Sequence, residues 1–277
     1  MNRFVSVGSF ETALGIGATV LVVLGLMALF VPSLSPYVYD EIDLGAIKQP
    51  PTKSHWMGTD ELGRDLGTRV MIGARISLAI GLVGALVATV LGAGVGAVAG
   101  YFGGWVDSAA MRVVDMLLSV PILPVLIVVS AFTRPSVVTL VLLVASFAWM
   151  QTARLIRGVF LSLKEQEFSE AARATGASDM RIIVLHLLPN AVAPLSVISA
   201  LLVGRVIVME SILSFLGLGV QPPIPSWGNL LYGAQNYLAT EPWLATFPGI
   251  FIFLAVLGVN LLGDGLRESL LPGSTIR

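Results

Sequence analysis

Apolar runs about as long as a bilayer is thick recur along the whole chain, and no other feature limits the fold so strongly. A helix of about 20 apolar residues crosses the hydrocarbon core. Six such runs are read at about 13–31, 76–100, 114–133, 137–157, 191–215 and 246–263. Of the residues, 56% are hydrophobic and 12% charged, against about 25% charged in an ordinary soluble domain. That much apolar surface exceeds what one globule of 277 residues could hide. Lipid is therefore expected to be the main solvent of an all-α polytopic membrane protein.

Two polar segments and the charge distribution give the expected organisation. Residues 1–12 form a short N-terminal segment and 13–31 the first span. Arg3 is the only basic residue ahead of that span, and no small-residue cleavage site marks it as a removable signal. Residues 32–75 are too long for a simple connection and are expected to carry structure of their own. Residues 76–277 form the core, with a tight reversal at Thr133-Arg134-Pro135-Ser136 between the third and fourth spans. With both termini inside, nine basic residues fall inside: Arg3, Arg112, Arg154, Arg157, Lys164, Arg173, Arg181, Arg267 and Arg277. Six fall outside: Lys48, Lys53, Arg64, Arg69, Arg75 and Arg134. The loop from Gly217 to Ala245 has no Lys or Arg, as an outer loop should.

Several chemistries are excluded. There are no cysteines, hence no disulfides, thiolate metal sites or cysteine nucleophiles. No basic stripe suits nucleic acid. His55, Asp60, Glu61 and Asp65 could be imagined round a metal, but one histidine among acids and local arginines is usually a solvated turn, and a folded outer loop is the better reading. No metal site is expected. No lysine follows a glycine, so a phosphate-binding loop is missing and ATP hydrolysis would have to come from another polypeptide.

The segment from Ser162 to Asn190 is the most informative. Ser162-x-x-Glu165 has the form of a capping box at a helix start. Phe168, Ala171, Ala172 and Thr175 follow at i, i+3, i+4 and i+7, a narrow stripe of mostly small side chains. Gly176 suits the left-handed residue that ends a helix. Ser178 can cap a second short helix, and Pro189 is expected to break the chain before the next span. The reading is helix, elbow, helix at about 162–189. A face of small side chains buries little area alone and suits a partner's groove.

Three features lie within the spans. Gly92, Gly96 and Gly100 share a helix face and suit close helix packing, in this chain or against a partner. Arg205 and Glu210 are ionisable residues on the fifth span, five apart and so about 140° round the helix. They read as contacts to a pathway or a partner permease rather than to each other. Asp264 and Arg267, at i and i+3, read as a pair at the cytoplasmic end.

Glu170-Ala171-Ala172, Gly176 and then Leu188-Pro189 resemble the EAA motif of ATP-binding cassette importer permeases, E-A-A-x3-G-x9-I-x-L-P. His186 stands at the isoleucine position, as is common in the peptide branch, which includes dipeptide, oligopeptide and nickel permeases. The stretch His55-Trp56-Met57-Gly58-Thr59-Asp60-Glu61-Leu62-Gly63-Arg64-Asp65 is similar to that branch. So are Leu213 to Pro223 with Ser226-Trp227-Gly228-Asn229, and Asn260 to Arg267. The resemblance implies a type I permease of six spans in the cytoplasmic membrane. Its cytoplasmic elbow would couple through Phe168, Glu170, Ala171, Ala172, Gly176, His186, Leu188 and Pro189. It implies a second homologous permease, two ATPase subunits holding ATP and Mg, and an extracytoplasmic substrate-binding protein. This chain itself would hold no cofactor, and the cargo would be di- or oligopeptides, with nickel or another small solute second. An ion-coupled secondary transporter is the competing class, but Glu210 is its one good intramembrane carboxylate and no inverted repeat is visible. An intramembrane enzyme lacks a G-x-S-x-G and a histidine within a span.

Overall fold

The computed structural model describes the backbone of residues 4–133 and 136–270, with side chains from residue 12 onward. Arg3, Arg134, Pro135 and Arg277, used above for orientation and the tight reversal, lie outside the described residues.

Five helices are long and apolar enough to cross a membrane. They are α1 (Phe4–Leu34), α2 (Leu66–Phe102), α5 (Val137–Leu163), the continuous helix Asp179–Phe215, and α10 (Trp243–Leu270). The third expected span is broken. α3 (Gly104–Ser119) and α4 (Ile122–Ala131) meet at an angle of 83°, and only as a bent pair do they make the sixth crossing. The break has a local cause. Val120 precedes Pro121, and that position is driven out of the helical region; its φ and ψ are -89° and 132°.

The second span starts ten residues before its expected limit, because Asp65 caps α2 and accepts from the Thr68 backbone N–H at 2.7 Å. The polar segment between the first two spans is thus confined to about residues 35–65, with Arg69 and Arg75 on the helix. Pro189 does not break the chain. α7 (Asp179–Arg181) runs through a wide π turn (Ile182–Leu187) into α8 (Leu188–Phe215). There the Leu188 N–H bonds to the Ile183 carbonyl, and Pro189 lies in the first turn of α8, where its missing N–H costs little.

The loops sort to two ends of the bundle. Residues 35–65 pack against α9 (Trp227–Ala234) and the start of α10: Lys48 Nζ lies 4.1 Å above the Tyr237 ring, and Gly58 abuts Trp243. At the opposite end lie the α2–α3 turn, the short helix α6 (Glu167–Ala174), the start of α1 and the end of α10. Leu14 touches Gly265 there.

The stretch from His55 to Asp65 is folded round a buried ion cluster. Asp60, Arg64, Asp65 and Arg69 are all buried. Asp60 takes Arg64 Nε at 2.7 Å and Arg69 Nε at 3.2 Å, and Asp65 takes His55 Nδ1 at 2.9 Å. Each carboxylate is matched by cations or N–H donors, which is the condition for burying charge. The cluster fixes residues 35–65 onto the first turn of α2.

Candidate functional site

The elbow is built on a helix shorter than its sequence suggests. α5 runs on through Ser162 and Leu163, so Ser162 and Glu165 form no capping box. α6 starts after Gln166, and neither Gln166 nor Ser178 caps its helix through a side chain. The end of α6 is as expected: Gly176 has φ +80°. The Ala177 N–H bonds to the Ala172 carbonyl at 3.1 Å and the Gly176 N–H to the Arg173 carbonyl at 2.9 Å. That pair of bonds satisfies carbonyls left open at a helix end and needs the left-handed residue between them.

The four-residue stripe divides. Ala172 is buried, as is Ser169, and belongs to a cluster with Ile182, Ile183 and Leu187 of the π turn that also takes in Tyr101, Ile156 and Phe160 of α2 and α5. Phe168, Ala171 and Thr175 are exposed, as is Glu170. Ala172 thus anchors α6 to its own bundle, and the free face is Phe168, Ala171 and Thr175 at i, i+3 and i+7. In the following helix His186 and Leu188 are half-buried and Pro189 is exposed. A second anchor comes from α2, where the Tyr101 hydroxyl donates to Asp179 Oδ1 at 2.6 Å and the Arg173 guanidinium lies 5.7 Å from the same ring.

α2 is itself held close to α5. A Cβ placed on Gly92 would come within 2.5 Å of the Trp149 carbonyl oxygen, and one on Gly100 within 2.7 Å of that of Arg157. One on Gly96 would meet the Ala153 carbonyl oxygen. The three glycines therefore form a seam inside this chain, where backbones touch without intervening side chains.

Arg205 and Glu210 have different surroundings. Glu210 is fully buried within this chain, accepting from Ser77 Oγ at 3.0 Å and Ser214 Oγ at 2.7 Å. Ser77 Oγ also accepts the Trp227 backbone N–H at 3.2 Å, so the carboxylate ties α2, α8 and α9 together. Its side chain is enclosed by this chain's own helices. Arg205 is exposed and bonds to Gln151 of α5. Asp264 and Arg267 form no ion pair; both are exposed, and Arg267 turns toward α8. The buried Asp60–Arg64–Arg69 cluster escaped sequence reasoning, although Gly58 and Gly63, with φ +82° and +76°, were its visible sign of a tightly folded loop.

Comparison with known proteins agrees with this layout. Residues 92–275 match the family described as the inner-membrane component of binding-protein-dependent transport systems. Residues 15–51 match the N-terminal transmembrane domain of oligopeptide transport permease C. The chain is 43% identical over 256 residues to the oligopeptide transport system permease protein OppC of Mycobacterium tuberculosis, covering 92% of this chain and 88% of that one. It is 38% identical over 257 residues to the dipeptide transport system permease protein DppC of Alkalihalophilus pseudofirmus, covering 93% and 84%. The glutathione transport system permease protein GsiD of Pectobacterium atrosepticum is 40% identical over 263 residues, covering 95% and 87%. A helical, multi-pass chain matched along nearly its whole length in this way belongs to the family of inner-membrane components of binding-protein-dependent transport systems.

Proposed function

We propose that this chain is a non-catalytic permease subunit that forms half of a pathway for taking up di- or oligopeptides across the cytoplasmic membrane. Substrate is handed over by a binding protein, and two separate ATPase subunits supply ATP and Mg and drive the cycle. A second homologous permease completes the pathway. Residues 35–65 and 217–242 face outward, and both termini face the cytoplasm with α6. The observation that carries this reading is the elbow. A short helix anchored by Ala172 and Tyr101 presents Phe168, Ala171 and Thr175 outward beside a left-handed glycine. Three open positions on one face suit insertion into a groove of another protein. The names of the relatives support peptides as the cargo.

Ala171→Trp is the direct test. Residue 171 is exposed, so the bulk falls on the docking face and leaves the bundle alone. The variant should reach the membrane in normal amount, yet lose co-purification with the ATPase subunits and lose binding-protein-stimulated ATP hydrolysis. Full ATPase binding and full peptide uptake by Ala171→Trp would remove α6 from the coupling role.

A further inference from the structure

Arg205 sits where a charge needs a reason. It lies ten residues before the end of α8 at Phe215, about 15 Å at 1.5 Å per residue. That is close to the middle of a hydrocarbon layer about 30 Å thick. Gly204, Val206, Ile207 and Glu210 of the same helix are buried, whereas Arg205 is exposed on the face turned from the chain's own core. Its bonding partner is the neutral Gln151, and among the described residues no carboxylate pairs with it. A guanidinium facing lipid at this depth is costly, so this face is expected to meet water or a polar partner.

The space in front of Arg205 has the dimensions of a ligand site. A trough of about 590 Å³ runs between α5 and α8, lined by Gln151, Leu155, Pro194, Leu201 and Arg205, with Arg267 of α10 also on its wall. Small-molecule sites commonly fall between about 300 and 1,000 Å³. Gly263 of α10 packs on Leu201, which brings the last turns of α10 alongside this part of α8. Two guanidiniums therefore line a mostly apolar trough, and no carboxylate of the described residues does so. Low-dielectric walls with one sign of charge focus the potential toward an anion.

We propose that this trough is a transit site for the C-terminal carboxylate of a peptide cargo, gripped by Arg205 and Gln151 and drawn onward by Arg267. The inference rests on the peptide-importer reading above. An arginine fork pairs with a carboxylate through two parallel bonds. The Gln151 amide both donates and accepts, as the adjoining peptide group requires. The apolar wall accepts side chains of many kinds, so the site would read the end common to all peptides. A grip by one or two groups is also weak enough to release, which passage demands.

The test uses the assembled importer in proteoliposomes with its binding protein and a mixed library of di- to pentapeptides, half with free carboxyl ends and half amidated. Uptake is read by mass spectrometry and divided by ATP hydrolysed. Wild type should deliver free acids in preference to amides, relative to their ratio on the binding protein. Arg205→Gln should assemble normally and keep its stimulated ATPase, yet lose that preference and about tenfold of the uptake per ATP, the effect of one charge-assisted contact. Arg205→Lys should recover most of it, and Arg267→Gln should show a smaller loss. Unchanged uptake per ATP and unchanged preference in Arg205→Gln would overturn the site. So would a complex that dissociates with Gln but holds with Lys, which would make Arg205 a contact to the second permease. ATPase activity lost in step with uptake would assign Arg205 to coupling and equally overturn it. A wild-type complex that delivers no peptide at all would sink the importer reading instead.

Discussion

Adding a single methyl group at two positions on opposite faces of one helix, Gly94 and Gly96, should produce opposite results. Both lie in α2, separated by one residue. A Cβ on Gly94 has nothing within 4 Å, so Gly94→Ala gains helix propensity without a clash. That gain is about 0.5–1 kcal/mol. A Cβ on Gly96 falls on the Ala153 carbonyl oxygen and 3.0 Å from both the Arg157 nitrogen and Ile156 Cβ. Comfortable carbon contacts lie near 3.5–4.0 Å, so α2 and α5 would have to part by about 1 Å along the seam. Gly92 and Gly100 flank the point and resist that parting, since each is itself at backbone contact. Overpacking of this kind costs about 1–3 kcal/mol. The propensity gain is the same at both positions, so the two variants should differ by the overpacking cost alone, about 1–3 kcal/mol. Thermal unfolding of the chain in nanodiscs reads this as a Tm several degrees lower for Gly96→Ala than for Gly94→Ala. Gly96→Leu should be worse than Gly96→Ala. Equal Tm values for Gly94→Ala and Gly96→Ala would show that α2 and α5 do not meet on this face.

Two further outcomes are expected. Gly176→Val should impair coupled ATPase activity through backbone strain alone, since φ is +80° and a Cβ there meets nothing within 4 Å; the strain is about 1–3 kcal/mol, and Gly176→Asn, which tolerates this conformation, should lie between Val and wild type. A single cysteine at Thr240, exposed at the same end of the bundle as residues 35–65, reports the orientation of the chain. It should react with an impermeant maleimide from outside intact cells, and labelling from the cytoplasmic side alone would invert the proposed orientation.

The spans were legible because apolar length decides membrane crossing, and the end of α6 because a left-handed glycine leaves a clear mark. What escaped depended on local bends and on which side chains meet, neither of which hydropathy reads. The run from Met116 to Phe132 carries no charge, so hydropathy passes over the bend at Val120-Pro121. Proline alone does not mark it either, since Pro32, Pro194 and Pro248 stand inside continuous helices. Ala171 and Ala172 are indistinguishable by type. Only the cluster formed by Tyr101, Ile156 and Phe160 decides which of them turns inward. Asp60 and Asp65 read as solvated because acids usually are. Burial required Arg64 from the same loop and Arg69 from the first turn of α2. The Glu210 environment was equally hidden, since Ser77 is 133 residues away in sequence.

Those long-range contacts all converge on α2. At the elbow end, Tyr101 holds Asp179 while Ala93 and Ala97 pack in the cluster that takes Ala172. Along the same last turns, Gly92, Gly96 and Gly100 press on α5. Toward the outer end, Ser77 meets Glu210 of α8 and the backbone of Trp227, while Val70 accepts the Trp227 indole N–H at 3.1 Å. At its start, Asp65 and Arg69 carry the outer segment. Close-packed contacts of this kind have little slack, because interiors shift between discrete arrangements more readily than they stretch. In the role proposed for α6, a push on the elbow is therefore delivered to α2 and α5 as one body, and through Glu210 to α8 and the outer helix α9. Removing the Glu210 tie should leave α6 docked to its ATPase and the outer end uncoupled from it. That separates transmission from docking, which a change on α6 itself could never do.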